Sequence, residues 1–174
     1  MHIQERIISR KIFVISLYEQ IVQSLRYTDS FVFMPDHSTE AHSYKFPLFQ
    51  DQDDAIQHMG YMVEWFFDDQ KTGKTIDVSF LKPMIQQREN HIDHIIAIID
   101  KHCTTFSFEK MDPMDKAIFL TGGIEYLVHH TPKEVLLNEM IEIAKRYGDT
   151  GSAKLINGIG HKVIEDLSKE ENNK

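Results

Sequence analysis

The sequence predicts an all-α protein, a compact bundle of about six or seven helices. Helical periodicity runs through almost every ordered stretch, helix-capping and proline signals separate the stretches, and no segment reads as a convincing strand. The first stretch, residues 5–26, shows the pattern. Its apolar side chains recur at three- and four-residue steps, at Ile8, Ile12, Ile15, Tyr18, Val22 and Leu25. Such spacing places them on one face of a helix, which we expect to be buried.

Further helices are predicted over residues 51–67, 79–102, 112–129, 131–147 and 152–167. Asp112 followed by Pro113 predicts a capped helix start with proline at the first helical position. Thr131-Pro132-Lys133-Glu134 predicts a capping box, in which the Thr131 side chain would cap the next helix. Gly148 marks the end of that helix.

Residues 1–168 are predicted to form a single domain, and residues 169–174 a solvated tail. Residues 28–50 interrupt the helical pattern with two prolines, polar turn formers and scattered aromatic side chains. We interpret them as an insertion that packs onto the domain through its aromatic residues.

The last predicted helix contains Asn157-Gly158, a pair that usually marks a tight turn. The apolar positions continue across the pair, so the sequence favours an unbroken helix. A glycine inside a helix costs about 1 kcal/mol relative to alanine. We therefore expect Gly158 to allow close approach of another helix, and Asn157 to bind backbone groups across that contact.

The net charge of −8 over 174 residues argues against a protein that coats nucleic acid over a broad surface. Residues 1–26 are the one basic segment, with four basic and two acidic side chains. The charged N-terminus is unlike a signal peptide and no apolar run is long enough to span a membrane, so we expect a cytoplasmic protein. Its one cysteine, Cys103, is compatible with a reducing compartment.

Two sets of side chains are candidates for function. Arg6 and Arg10 lie four residues apart on one predicted helix face, with Lys11 beside them, and could bind phosphates. Taken alone, however, two such arginines are more often solvated surface. His91, Asp93 and His94 have a spacing that could ligate a metal on a helix, but no matching set stands out on a second helix.

The segment from residue 111 to 167 resembles the NusB family of bacterial transcription antitermination factors. The resemblance includes Asp115, Glu125-Tyr126 and Pro132, followed by the run LNEMIEIAKRYG and then SAKLINGI. The N-terminal helix also fits the family, through Arg6, Ser9, Arg10 and Leu17-Tyr18. Residues 27–105 diverge from it.

This resemblance implies an all-helical fold of two small subdomains without catalytic activity or a cofactor. It further implies binding to boxA RNA of ribosomal RNA operons together with NusE, a small-subunit ribosomal protein, in the RNA polymerase antitermination complex. Carried onto this chain, it nominates Arg6, Arg10, Ser152 and Lys154 for RNA, with Lys11 added on local charge. Tyr18 is nominated as a partner contact, although it could equally belong to the core.

Two departures from the family pattern predict weak RNA binding by the isolated chain. The first helix has fewer arginines than the family, and Leu155 replaces a common phenylalanine whose stacking on a base would contribute roughly 1–3 kcal/mol. With two or three phosphates neutralised, log affinity should fall against log salt with a slope of about −2. A second RNA surface on NusE would then raise the effective concentration of RNA.

Two other interpretations remain open on the sequence. The chain could be a NusB-fold interaction module that has lost boxA recognition, as the thin basic patch and Leu155 would allow. It could also be a helical metal-dependent enzyme that uses His91, Asp93 and His94.

Overall fold

The computed structural model describes residues 2–30, 52–66 and 75–171, and within these ranges the regular structure is entirely helical. The helices are α1 (His2–Ser30), α2 (Gln52–Phe66), α3 (Val78–His102), α4 (Pro113–His129), α5 (Lys133–Tyr147) and α6 (Ser152–Glu171). A short 3-10 turn, Phe108–Lys110, lies between α3 and α4. The prediction of an all-α bundle is therefore confirmed.

Helix α4 lies at the centre of the fold. It packs against α1, α3, α5 and α6, while α2 packs against α1 and α3. Every residue from Asp115 to Glu125 is buried, so this helix is enclosed on all sides. Apolar side chains of all six helices form one hydrophobic cluster, which unites α1–α3 with α4–α6.

Helix α1 is also buried on more than one face, which the predicted apolar stripe did not indicate. Phe13, Val14, Leu17 and Ile21 are buried in addition to Ile8, Ile12 and Ile15, whereas Leu25 is exposed. Polar side chains near the start of α1 therefore do not automatically face solvent.

Most helix ends agree with the sequence-based predictions. The Asp112 side chain accepts a hydrogen bond from the Met114 N–H at 2.8 Å and caps α4, with Pro113 at the first position, as predicted. The predicted capping box at Thr131 is wrong. Its hydroxyl donates instead to the Glu125 carboxylate at 2.8 Å, and α5 begins without a side-chain cap.

Other boundaries shift outward. Residues 28–30, predicted as part of the insertion, continue α1, and residues 169–171, predicted as tail, continue α6. The rest of the predicted insertion, residues 31–50, and the rest of the predicted tail, residues 172–174, lie outside the described residues.

Helix α6 runs unbroken through Asn157-Gly158, as its apolar periodicity predicts. The predicted packing role of this pair is wrong, because both residues are exposed and a Cβ on Gly158 would meet no atom within 4 Å. The close approach occurs two residues later, at Gly160, where a Cβ would lie 3.2 Å from Leu137 Cδ2 of α5.

Candidate nucleic-acid interface

Arg10 is buried in a network of carboxylates at the end of α4. Its Nε and Nη2 donate to the two carboxylate oxygens of Glu125 at 2.6 and 2.7 Å, and its Nη1 donates to Glu139 of α5 at 3.2 Å. Only 5% of the Arg10 surface is exposed, and Glu125 is fully buried. In this arrangement the guanidinium joins α1, α4 and α5 and does not face solvent.

The pKa of Arg10 reflects the strength of this network. Burial alone would lower it, but the hydrogen bonds and charges of Glu125 and Glu139 outweigh burial and raise the pKa above its ordinary value. Arg10 is thus held as a cation whose donors are engaged with protein carboxylates. A phosphate could reach it only by displacing them.

Arg6, one turn earlier on α1, has a different environment. Its side chain is 58% exposed, and its Nε lies 3.4 Å from Asp77, the residue that caps α3. The guanidinium also lies 5.8 Å from the centre of the Phe80 ring. Arg6 is therefore anchored at one edge and accessible elsewhere.

A groove of about 420 Å³ opens beside Arg6, between the start of α1 and the turn from α4 to α5. Ile3 and Val135, both exposed, contribute apolar walls. The turn contributes His130, which has a left-handed backbone with φ of 50°. Arg6 is the exposed cation at the rim of this groove.

The remaining candidates on α1 are less accessible. Lys11 is half-buried, and Tyr18 is half-buried and packs against the hydrophobic cluster. This packing gives Tyr18 a role in the core. Its nomination as a partner contact stays a prediction.

Ser152, at the start of α6, is buried with 2% of its surface exposed. Its hydroxyl accepts a hydrogen bond from the Asp149 N–H at 2.9 Å and also hydrogen-bonds the Asp115 carboxyl. Ser152 therefore ties the start of α6 to α4. Like Arg10, it is buried, and its nomination as an RNA contact stays a prediction.

Burial raises the pKa of Asp115 above its ordinary value, the Ser152 hydrogen bond opposes this effect, and Asp112 and Asp149 add to it. One carboxylate oxygen, Oδ1, has no hydrogen-bond partner among the described residues. Ionised Asp115 therefore reduces the stability of the folded chain.

Replacing Asp115 with asparagine is accordingly expected to raise the free energy of unfolding at pH 7 by about 1 kcal/mol. The pKa of Asp115 is higher in the folded chain than in the unfolded chain, where it has the ordinary value of about 4. The free energy of unfolding of the wild-type chain therefore falls as the pH rises from about 4 through the raised pKa. Urea titrations of both proteins from pH 3.5 to pH 8 measure this. The gain should shrink toward the acidic end, and a gain independent of pH would contradict the assignment.

Lys154 is exposed, two residues after buried Ser152. Leu155, which replaces the family's common phenylalanine, is half-buried and packs against the hydrophobic cluster. Lys154 therefore presents its charge to solvent, whereas Leu155 packs toward the core.

The structure does not bring Arg6 and Lys154 into one compact site. Arg10, one turn from Arg6, binds Glu125 near the end of α4, whereas Ser152 binds Asp115 near its beginning. Ten helical residues between Asp115 and Glu125 correspond to about 15 Å. A ligand that contacts both cations must therefore be extended.

The proposed metal ligands are also not assembled into a cluster. His91 contacts Gln87 at 3.5 Å, and His94 pairs with Glu170 of α6 at 2.8 Å. Asp93 is exposed. Within residues 2–30, 52–66 and 75–171, no three His, Cys, Asp or Glu side chains form a group that could hold a metal.

Sequence reasoning did not identify the acidic partners of Arg10. In the sequence, Glu125 stands out only as part of the family pattern, and Glu139 only as part of the run LNEMIEIAKRYG. The available signal was the position of Glu125 inside an apolar helix, since a buried carboxylate requires a partner.

None of the described helices is long and apolar enough to cross a membrane.

The fold defined by these helices is that of the NusB proteins. The solved structure of T. maritima NusB matches with a TM-score of 0.51, covering 92% of this chain and 91% of that one at 19% identity. At this identity the match establishes the fold alone.

The sequence establishes the family. The NusB family model matches residues 50–165, and the chain belongs to the NusB family. The transcription antitermination protein NusB of Thermodesulfovibrio yellowstonii is 34% identical over 111 residues, covering 63% of this chain and 71% of that protein. The protein of the same name from Fusobacterium nucleatum is 33% identical over 82 residues, covering 47% of this chain and 54% of that protein. The aligned region therefore spans about half the length of that relative.

Proposed function

We propose that this chain binds single-stranded boxA-type RNA together with NusE and acts in the antitermination complex of RNA polymerase without catalysing a reaction. Its membership of a family whose curated relatives are named transcription antitermination proteins carries the proposal. The role would be to hold an RNA segment on the transcription complex through adjacent surfaces of two proteins.

Within the described residues, Arg6 and Lys154 are the RNA-binding candidates best placed to meet a phosphate. Both are exposed, whereas Arg10 and Ser152 are buried and Lys11 is half-buried. We assign Arg10 and Ser152 the role of fixing α1 and α6 behind these cations. Only two of the five nominated residues are exposed, on a chain of net charge −8, and this favours binding that NusE assists.

Alanine at Arg6 or at Lys154 should weaken binding of boxA RNA in the presence of NusE. Each loss of a phosphate contact should also make the salt slope shallower by about 0.7. Fluorescence anisotropy between 50 and 200 mM salt measures both quantities. Lys145→Ala is the matched control, because the Lys145 ammonium is paired with Glu142 at 2.6 Å and lies on α5. If both variants kept the original slope, the two cations would be removed from the RNA surface.

A further inference from the structure

Gly158 has no structural reason within the described part of the chain to be glycine. It lies inside the 20-residue helix α6, is exposed, and would have no atom within 4 Å of an added Cβ. A glycine at such a position costs about 1 kcal/mol relative to alanine. At Gly160, by contrast, an added Cβ would lie 3.2 Å from Leu137 Cδ2, so that side chain would have to shift.

Two lysines and a histidine flank Gly158 on the same exposed face. Lys154 precedes it by four residues, and His161 and Lys162 follow it by three and four. Residues at these spacings are neighbours on a helix surface. The Gly158 face, defined as Lys154, Asn157, Gly158, His161 and Lys162, is exposed throughout.

The side chains of the Gly158 face make no hydrogen bond or ion pair with any residue in the described ranges. Other lysines nearby do have acidic partners: Lys169, also on α6, binds Glu165 at 2.8 Å. Glu165 and Asp166 follow Lys162 by three and four residues, but their carboxylates pair with Lys169 and Lys101 instead. The local charge is therefore available to an anionic ligand.

We propose that the Gly158 face binds the sugar-phosphate backbone of the RNA, which passes from Lys154 along α6, and that Gly158 allows this backbone close to the helix. The inference rests on the proposed RNA-binding function and extends it to residues beyond Lys154. Lys154 and Lys162 would meet phosphates on either side of the glycine. The Asn157 amide, with donors and an acceptor, would reach sugar or base groups. Glycine commonly occurs where a backbone approaches a ligand closely.

Gly158→Ala tests the proposal, because its expected effects on folding and on RNA binding have opposite signs. Alanine should stabilise the helix by up to about 1 kcal/mol. Affinity for boxA RNA with NusE should nevertheless fall roughly five- to tenfold, about 1 kcal/mol of binding free energy. Gly60→Ala is the matched control, since Gly60 lies inside α2 and an added Cβ there also meets nothing within 4 Å. It should leave RNA affinity unchanged.

Lys162→Gln provides an independent readout, a salt slope shallower by about 0.7. Wild-type affinity in Gly158→Ala together with an unchanged slope in Lys162→Gln would overturn the proposal. A loss confined to NusE binding measured without RNA would also overturn it, because the face would then contact the protein partner. If the unmodified chain with NusE does not prefer boxA over scrambled RNA, the proposed function itself fails, and this inference fails with it.

Discussion

Replacing Glu125 with alanine should lower the free energy of unfolding by about 3–5 kcal/mol. This is the largest effect that we expect from a single substitution. The substitution removes both short hydrogen bonds that Arg10 makes to Glu125. Among the described residues, Glu139 is then the one carboxylate that still binds the buried guanidinium. A buried charge without sufficient compensation is among the most costly defects in a protein core. Urea denaturation followed by circular dichroism measures the loss.

Arg6→Ala is the control for this experiment. Arg6 lies one turn from Arg10 and near the same Phe80 ring, but it is largely exposed and its ion pair with Asp77 is long, at 3.4 Å. Exposed ion pairs contribute about 0–1 kcal/mol, so this variant should lose no more than that. Equal losses in Glu125→Ala and Arg6→Ala would contradict the buried network.

A double replacement separates the charge from the packing. Arg10→Met combined with Glu125→Leu removes both charges and retains apolar volume, so the double variant should be more stable than either single variant. If the loss in free energy of unfolding of the double variant equalled the sum of the losses in the two single variants, Arg10 and Glu125 would not be coupled.

The second large effect is expected at Gly123, where α4 meets α3. An added Cβ would lie 2.8–2.9 Å from three side-chain carbons of Ile95, closer than the packed helices permit. Gly123→Ala should therefore lower the free energy of unfolding by about 1–3 kcal/mol, although alanine is the better helix former. The measurement is a urea titration of the variant against the wild-type chain.

Gly122→Ala is a neighbouring control. Its added Cβ would meet the flexible end of the Met140 side chain, which can move, so the loss should be smaller than at Gly123. Combining Gly123→Ala with Ile95→Ala should cost less free energy of unfolding than the sum of the two single losses. The shorter side chain at position 95 leaves room for the added Cβ, and the Cβ fills part of the space left by Ile95. A larger loss at Gly122 than at Gly123 would contradict the described packing of α3 on α4.

Arg6 and Arg10 illustrate what the sequence could and could not predict. Their spacing correctly places them one turn apart on α1, but it carries no information about which neighbouring helix covers that turn. Glu125 and Glu139 lie 115 and 129 residues away in sequence from Arg10, so the contacts that bury it are tertiary. Helix periodicity predicted the six helices because it is a local property, whereas exposure of a cation depends on distant residues.

The two glycines of α6 show the same limit. Apolar periodicity correctly predicts a helix through Asn157-Gly158. The helix cost of glycine, however, assigns the close helix contact to the wrong glycine. The contact occurs at Gly160, where Leu137 of α5 approaches, and Gly158 faces solvent. The sequence of α6 does not show which of these glycines faces α5, because that depends on where α5 packs in the fold.

The central claim is recognition of boxA-type RNA with help from NusE. Fluorescence anisotropy of labelled boxA RNA, titrated with this chain in the presence and absence of NusE and compared with a scrambled RNA of equal length, tests it most directly. We expect weak binding by the chain alone, and tighter binding with NusE that favours boxA over the scrambled sequence. Equal affinity for the two RNAs under both conditions would contradict the claim and favour a NusB-fold interaction module without boxA recognition.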